Sequence, residues 1–371
     1  MKENKSREEI GKEIIKRLKE KFGDNILNDL KKGKGPSIDI VMRALTNIIY
    51  DEKKHLILLG NKTQSRSFFS TGQTRIFMQT LLVANACKEL IKSGKTTSIR
   101  SLYYNTKHTL EGSKENTFED QNESNPIIED IEVSADALRE ELHLRANSKG
   151  AMVGDLTIVD TGDEINLRKM GSGGWAVPSI VEPHTIQFKK CDAKFILFIE
   201  KDTVWGRFNE DKFWKKHNCV IIHGGGQPPR GVRRLLKRMH DELKLPVYVL
   251  VDNDPWGFYI YSVIRQGSMK LAYESVRMAV PDAKFIGLSS FDKEKYKLPN
   301  EVTIKLNEGD KKRIKEILNY KWFQDKSWRN EMEHMLKQGV KLELEALSAK
   351  NIAFITETYL PEKIAKKEWL D

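Results

Sequence analysis

Four short runs in the second half of this chain, residues 195–199, 219–223, 247–251 and 285–288, are continuously apolar, and segments of helical period such as 230–243 and 256–276 separate them. A strand with one face in water alternates polar and apolar residues. A strand that is apolar throughout is buried on both faces, and helical connections make such strands parallel. The expected fold class is therefore α/β, with a parallel β-sheet flanked by helices. In open sheets of this kind, ligands gather beyond the carboxyl ends of the strands.

The first half reads differently. Ile10, Ile14, Leu18 and Phe22 recur every four residues behind Ser6, with Glu9 three places later, the pattern of a capping box on an amphipathic helix. After the breaker 31–36, the spacing of Ile38, Val41, Met42, Leu45, Ile48 and Ile49 predicts a second helix. Residues 1–70 are thus expected to form a helical N-terminal extension, which either packs on its own chain or docks a partner subunit. Further helices are expected over 71–92, closed by Gly94, from Ser98 to about Gly112, and over 127–142. The β-like runs 152–159 and 164–167 follow. Three helices and a β-ribbon suggest a winged-helix domain over 71–160, a fold that sets one helix in a DNA groove. Residues 161–190 are then a connecting segment, and 191–371 the α/β domain.

Composition narrows the setting. The 371 residues carry 63 Lys and Arg against 53 Asp and Glu, a formal charge of +10. A polyanionic partner fits that excess, although charge alone says nothing about chemistry. Residues 111–142 hold eleven acids and two bases, so the rest of the chain is still more basic. A 39% hydrophobic content excludes global disorder. No apolar run reaches the roughly 18 residues of a spanning helix, and the first residues are too polar for a signal peptide, so a cytoplasmic protein is expected. Cys87, Cys191 and Cys219 form neither a disulfide framework nor a zinc motif.

Three acids fall at strand ends. Glu200 follows the run 195–199, and Asp252 and Asp254 follow 247–251, with Asn253 between them. Oxygen-only ligands with room for water and phosphate suit Mg²⁺ better than zinc. One such acid alone would be read as a helix cap. Three, near the turn Gly224-Gly225-Gly226 and the basic Arg230, Arg233 and Arg234, favour a metal beside a DNA path, although the same arginines also fit a solvated helix face.

The second candidate is Arg100-Ser101-Leu102-Tyr103-Tyr104. On a helix, Tyr103 shares the apolar stripe with Ile99, Leu102 and Thr106, whereas Tyr104 shares another face with Arg100, Lys107 and His108. Free tyrosine ionises near pH ~10, so attack on phosphorus needs cations or a metal close by. An aromatic residue on a basic face that merely stacks on nucleic acid is the competing reading. Gly94-Lys95-Thr96 lacks the first glycine of a P-loop, Gly171-Ser172-Gly173-Gly174 lacks the last glycine of a dinucleotide fingerprint, and the histidines show no zinc spacing.

Together these residues resemble the A-subunit family of the type IIB topoisomerase, DNA topoisomerase VI, related to the initiators of meiotic double-strand breaks. The resemblance covers most of the chain after Ser70. It rests on the motifs at 100–104, 138–143, 171–183, 226–234, 251–257 and 359–364. The family joins a winged-helix (CAP-like) domain to a Toprim domain, and its second tyrosine is the nucleophile, which falls on Tyr104. Its Toprim glutamate falls on Glu200 and its Asp-x-Asp on Asp252 and Asp254. Many members carry an acid where this chain has Ser101. The resemblance implies double-stranded DNA as substrate, Mg²⁺ as cofactor, a homodimer, and an A2B2 heterotetramer whose B subunit hydrolyses ATP. A dedicated break-forming relative, a Toprim nuclease or primase without a covalent intermediate, and a non-catalytic DNA-binding protein are the alternatives.

Overall fold

The computed structural model describes residues 6–370, which divide into two compact units, residues 6–47 with 59–147 and residues 48–58 with 148–370. Helix α1 (Arg7–Lys19) opens with the capping box read from the sequence, in which Ser6 accepts from Glu9 N–H and Glu9 accepts from Ser6 N–H. A wider turn, Glu20–Asp24, leads to α2 (Asn25–Lys31). The expected second helix is not formed. Its place is taken by β1 (Ser37–Val41) and by β2 (Ile48–Asp51), which pairs with β3 (Leu56–Leu59). In β1, Ile38 and Ile40 are buried while Asp39 is exposed, and the strand runs antiparallel to β4 (Thr63–Ser67). The apolar spacing of 38–49 fits a helix, but alternate burial of β-branched residues and a partner strand some 25 residues on decide for sheet. Among the described residues up to 70, regular helix is confined to 7–31 apart from one short turn at Leu45–Asn47, a correction to the helical extension.

Helix α3 (Thr74–Ser93) ends on Gly94, whose left-handed φ of 66° allows its N–H to reach the last carbonyls. The two-residue strand β5 (Thr97–Ser98) leads into α4 (Ile99–Thr106), capped by the Ser98 hydroxyl, which accepts from Ser101 N–H. Expected to continue to Gly112, α4 stops at Thr106. There the Thr117 hydroxyl donates to the Thr106 carbonyl at 2.8 Å and accepts from His108 N–H at 2.9 Å, drawing the chain out of the helix. Helix α5 (Gln121–Ser134) starts and ends earlier than expected, with Asp120 as its cap and Pro126 inside it. After it comes β6 (Leu144–Arg145), parallel to β5. Ile14, Leu18, Phe77, Cys87, Leu102, Tyr103, Ile127 and Ile131 from α1, α3, α4 and α5 share one core.

The two β-like runs expected beside these helices fall in the other unit. Strand β7 (Ala151–Gly154) runs antiparallel to a strand of the main sheet, and β8 (Leu156–Asp160) joins β9 (Asp163–Asn166). At Gly154, with φ 144°, any Cβ would collide with the Cys219 carbonyl, so glycine permits the close pairing. Next come β10 (Trp175–Ala176) and β11 (Ile186–Cys191), the latter completing a three-stranded antiparallel sheet of order β11-β8-β9.

The main sheet holds the strands anticipated from the apolar runs, β12 (Phe195–Ile199), β13 (Cys219–His223), β14 (Val247–Leu250) and a shorter β15 (Lys284–Phe285). Its order is β10-β7-β13-β12-β14-β15, parallel from β13 to β15. All five residues of β12 are buried, as its unbroken apolar character requires. Helices α6 (Asp202–Glu210), α7 (Phe213–His217), α8 (Arg230–Leu243) and α9 (Pro255–Arg265) connect the strands. Helix α9 is shorter than the expected 256–276 and is followed by Gly267 at φ 100°. The motif at 359–364 closes this unit: the Tyr359 hydroxyl and Lys363 Nζ both hydrogen-bond to Asp292 and to the Gly287 carbonyl.

In the first unit, Asp130 holds two arginines. Arg43 Nε donates to it at 3.0 Å and Arg66 Nη2 pairs with its other oxygen, and all three side chains are at most 10% exposed. Removing one partner of such a set leaves buried charge without an opposite. Asp130→Ala is expected to destabilise this unit by about 3–5 kcal/mol, read as a lower denaturant midpoint.

Candidate active site: strand-end carboxylates and an exposed tyrosine

The parallel pairing of β12 with β14 sets Ile199 opposite Leu250, and Glu200 N–H donates to the Leu250 carbonyl at 3.0 Å. Glu200 and Asp252 therefore leave adjacent strand ends side by side. Asp252 N–H donates to Glu200 Oε2 at 3.2 Å. Burial, reinforced by the Asp252 charge, pushes the Glu200 carboxyl up to about 7. Burial likewise pushes Asp252 up to about 6 and raises Asp254. Asp254 caps α9, its Oδ1 accepting from Gly257 N–H at 2.6 Å, with Pro255 at the first helical position. A Cβ on Gly257 would collide with the Asp252 carbonyl, so the glycine of this motif serves close approach. The triple-glycine turn also belongs here, since Gly226 N–H donates to the Glu200 carbonyl at 2.8 Å.

A distant stretch completes the surroundings. Asn253 and Leu342 exchange two backbone hydrogen bonds, and Leu344 N–H donates to Asp252 Oδ1 at 2.8 Å. Lys201 Nζ lies 3.0 Å from Asp252, 3.1 Å from Glu343 and 2.9 Å from Glu345. Asn253 Nδ2 donates to the buried Glu331 at 3.1 Å. Sequence reasoning missed Lys201, Glu331, Glu343 and Glu345. Lys201 directly follows Glu200, and Glu343 and Glu345 alternate in an extended stretch, which were the only signals available.

The donors fit a hard divalent cation. Among the described residues no three His, Cys, Asp or Glu side chains stand ready as a closed metal cage. Mg²⁺ does not need one, because it keeps several waters and takes one or two carboxylates together with substrate phosphate. Glu200 and Asp252 supply such a pair. The Lys201 ammonium against Asp252 marks this as a place where positive charge is favoured.

On α4, Tyr103 and Tyr104 face different surroundings, as the helical period implied. Tyr103 is buried; its hydroxyl donates to the Glu119 carbonyl and accepts from Lys107 Nζ, both at 3.0 Å. Tyr104 is 59% exposed and packs edge-on against Tyr103, ring centroids 5.1 Å apart. Arg100, one turn earlier on the same face, is exposed and has no ion-pair partner among the described residues. Lys107 and His108 do not join that face. The helix ends before them, Lys107 turns to Tyr103, and His108 binds Thr117 through its backbone.

Two of the three arginines after the triple glycine are committed internally, and the third is buried. Arg230 pairs with Glu274 at 2.6 Å, Arg234 holds Glu182 through two 3.0 Å hydrogen bonds, and Arg233 is 2% exposed. Burial lowers Arg233 to about 10. Arg230 and Arg234 fasten α8 to residues 274 and 182, whereas the buried Arg233 leaves Nε and Nη2 without a hydrogen-bond partner. No helix among the described residues is long and apolar enough to cross a membrane.

Comparison with known proteins agrees with this architecture. Residues 195–364 match the family of Toprim domains of the topoisomerase 6 A-subunit and Spo11, residues 75–144 the family described as "Type IIB DNA topoisomerase", and residues 148–192 the "All-beta domain in DNA topoisomerase VI alpha subunit". The chain is 45% identical to the type 2 DNA topoisomerase 6 A-subunit of Pyrococcus horikoshii, covering 96% of this chain and 95% of that protein. It is 42% identical to that of Hyperthermus butylicus, covering 98% and 97%, and 42% identical to that of Saccharolobus shibatae, covering 95% of each. With relatives this similar along nearly its full length, the chain belongs to the A-subunit family of type IIB DNA topoisomerases.

Proposed function

We propose that Tyr104 is the nucleophile with which this topoisomerase chain breaks DNA, and that Glu200 and Asp252, with Asp254 beside them, hold the Mg²⁺ that assists. The observation that carries this reading is the division between the two tyrosines: Tyr103 is buried with its hydroxyl engaged, while Tyr104 is exposed beside the unpaired Arg100. Tyr104 Oη attacks the phosphorus and loses its proton, the bond from phosphorus to the 3′-oxygen breaks, and that oxygen leaves as a protonated 3′-hydroxyl. The 5′-phosphate stays on the tyrosine, and reversal reseals the strand. Arg100 is placed to offset charge on the phosphate oxygens. Bound at the carboxylates, Mg²⁺ supplies further charge stabilisation and orients the phosphate.

One tyrosine cuts one strand, so a double-strand break takes two copies of this chain. Passage of a second duplex then calls for an ATP-hydrolysing B subunit in an A2B2 assembly working on chromosomal DNA. The absence of any P-loop from this chain's sequence supports assigning ATP hydrolysis elsewhere. Lys107 and His108 remain DNA-contact candidates beyond the end of α4, with Lys107 acting first through Tyr103.

Tyr104→Phe is expected to abolish covalent protein–DNA adducts formed with Mg²⁺ and the B subunit, whereas Tyr103→Phe is expected to retain them at reduced yield. Adducts at wild-type level from Tyr104→Phe would refute the assignment, and a nuclease or a non-catalytic binder would form none with either chain. Asp252→Ala is expected to lower Mg²⁺-dependent cleavage by at least about 100-fold. A pH effect follows as well. Because burial raises Glu200 and Asp252, the folded chain binds more protons than the unfolded chain between their ordinary values and about 7, so these groups make stability fall as pH rises across that window. Mg²⁺ takes the ionised pair, so the rise in Tm that it produces should be larger at pH 8 than at pH 5 and should vanish in Asp252→Asn.

A further inference from the structure

We propose that Lys201 is the site's own counter-cation: its ammonium occupies Asp252 while no divalent cation is bound, and withdraws onto Glu343 and Glu345 when one arrives. This rests on the metal assignment made above. Lys201 Nζ has three donors and meets three carboxylates, at 3.0 Å on Asp252, 3.1 Å on Glu343 and 2.9 Å on Glu345. Those partners differ in kind. The Asp252 side chain is 6% exposed, whereas Glu343 and Glu345 are 52% and 45% exposed.

The Asp252 oxygens are also unequal. Oδ1 accepts from Leu344 N–H at 2.8 Å, which leaves Oδ2 as the oxygen open to a cation, and that is the oxygen Lys201 occupies. Leu344 lies between Glu343 and Glu345, so one stretch of chain both fixes Asp252 and carries the acids that receive the lysine. Withdrawing the ammonium from Asp252 therefore strands no charge, because two carboxylates still hold it. Lys201, Asp252, Glu343 and Glu345 together carry two excess negative charges, which a divalent cation neutralises. The exchange needs no change of protonation; it is competition between two cations for one oxygen.

Competition of this kind weakens apparent metal affinity by the fraction of time the oxygen is taken. The test is calorimetric titration of the full chain with Mg²⁺ alone, without DNA or partner. Lys201→Met is expected to tighten Mg²⁺ binding by about tenfold. Lys341→Met serves as the control for long-range field. Lys341 pairs with Asp310 at 3.0 Å and its charge is felt at Asp254, but it occupies no oxygen of Asp252, so its removal should change affinity by less than about twofold. Should Lys201→Met fail to fold, Lys201→Gln, neutral and still a hydrogen-bond donor, carries the same expectation. Affinity that is unchanged or weaker in the Lys201 variant, or tightened equally by both lysine variants, would overturn the inference and leave the metal site standing. A wild-type chain that takes up no Mg²⁺ would overturn the metal assignment, and the inference with it.

Discussion

The parallel register of β12 against β14 brings two carboxylates out of a dry sheet next to one another, and much of the second unit answers that fact. Ile199 opposite Leu250 puts Glu200 beside Asp252, each disfavouring the charge on the other where little water can screen it. Left alone, such a pair would keep protons or push the strand ends apart. The surrounding structure instead supplies donors: Leu344 N–H and Lys201 on Asp252, Asp252 N–H on Glu200, and the start of α9 on Asp254. Glu331 holds Asn253 in the middle of the turn, so the segment between the two aspartates is fixed from both sides. Lys201, Asp252, Glu343 and Glu345 still carry two excess negative charges, which the proposed divalent cation would offset.

Much of this was legible in the sequence because the signals were local and strong. A strand buried on both faces must be apolar at every position, so β12, β13 and β14 were marked by composition alone, and the acids after them were marked by position. The helical period separated Tyr103 from Tyr104 for the same reason, since burial of one side of α4 depends on residues three and four apart. Where sequence reading failed, the deciding partner was remote or the period ambiguous. Ile38 and Ile40 fit a strand as well as a helix, and only β4 settles the matter. The end of α4 is set by one hydroxyl, Thr117, eleven residues away from the carbonyl it captures. Lys201 meets Glu343 and Glu345 more than 140 positions along the chain, and nothing local announces it.

Charge tells a related story. The acidic stretch 111–142 holds eleven acids, and several of them are used inside the first unit. Asp130 takes Arg43 and Arg66, Glu129 also takes Arg43, and Glu132 takes Arg139. In the second unit Glu182 and Glu274 take Arg230, Arg234 and Arg277. Arg230 and Arg234, which follow the triple glycine, therefore each carry a carboxylate partner from within the chain.

Arg100 differs from these two arginines. It stands one turn before Tyr104 on the exposed face of α4, with no carboxylate to hold it among the described residues. Lys107, which sequence placed on the same face, is instead drawn to the buried hydroxyl of Tyr103. The consequence is a division of labour on a short helix. Tyr103 and Lys107 fix its end against the core through Glu119, and Tyr104 rests on the edge of that fixed ring while staying open to solvent. A nucleophile carried on a long flexible side chain would lose entropy on reaching phosphorus. An aromatic ring packed against an immobilised neighbour has less of that freedom to lose, so the fixed Tyr103 supports the role proposed for the exposed Tyr104.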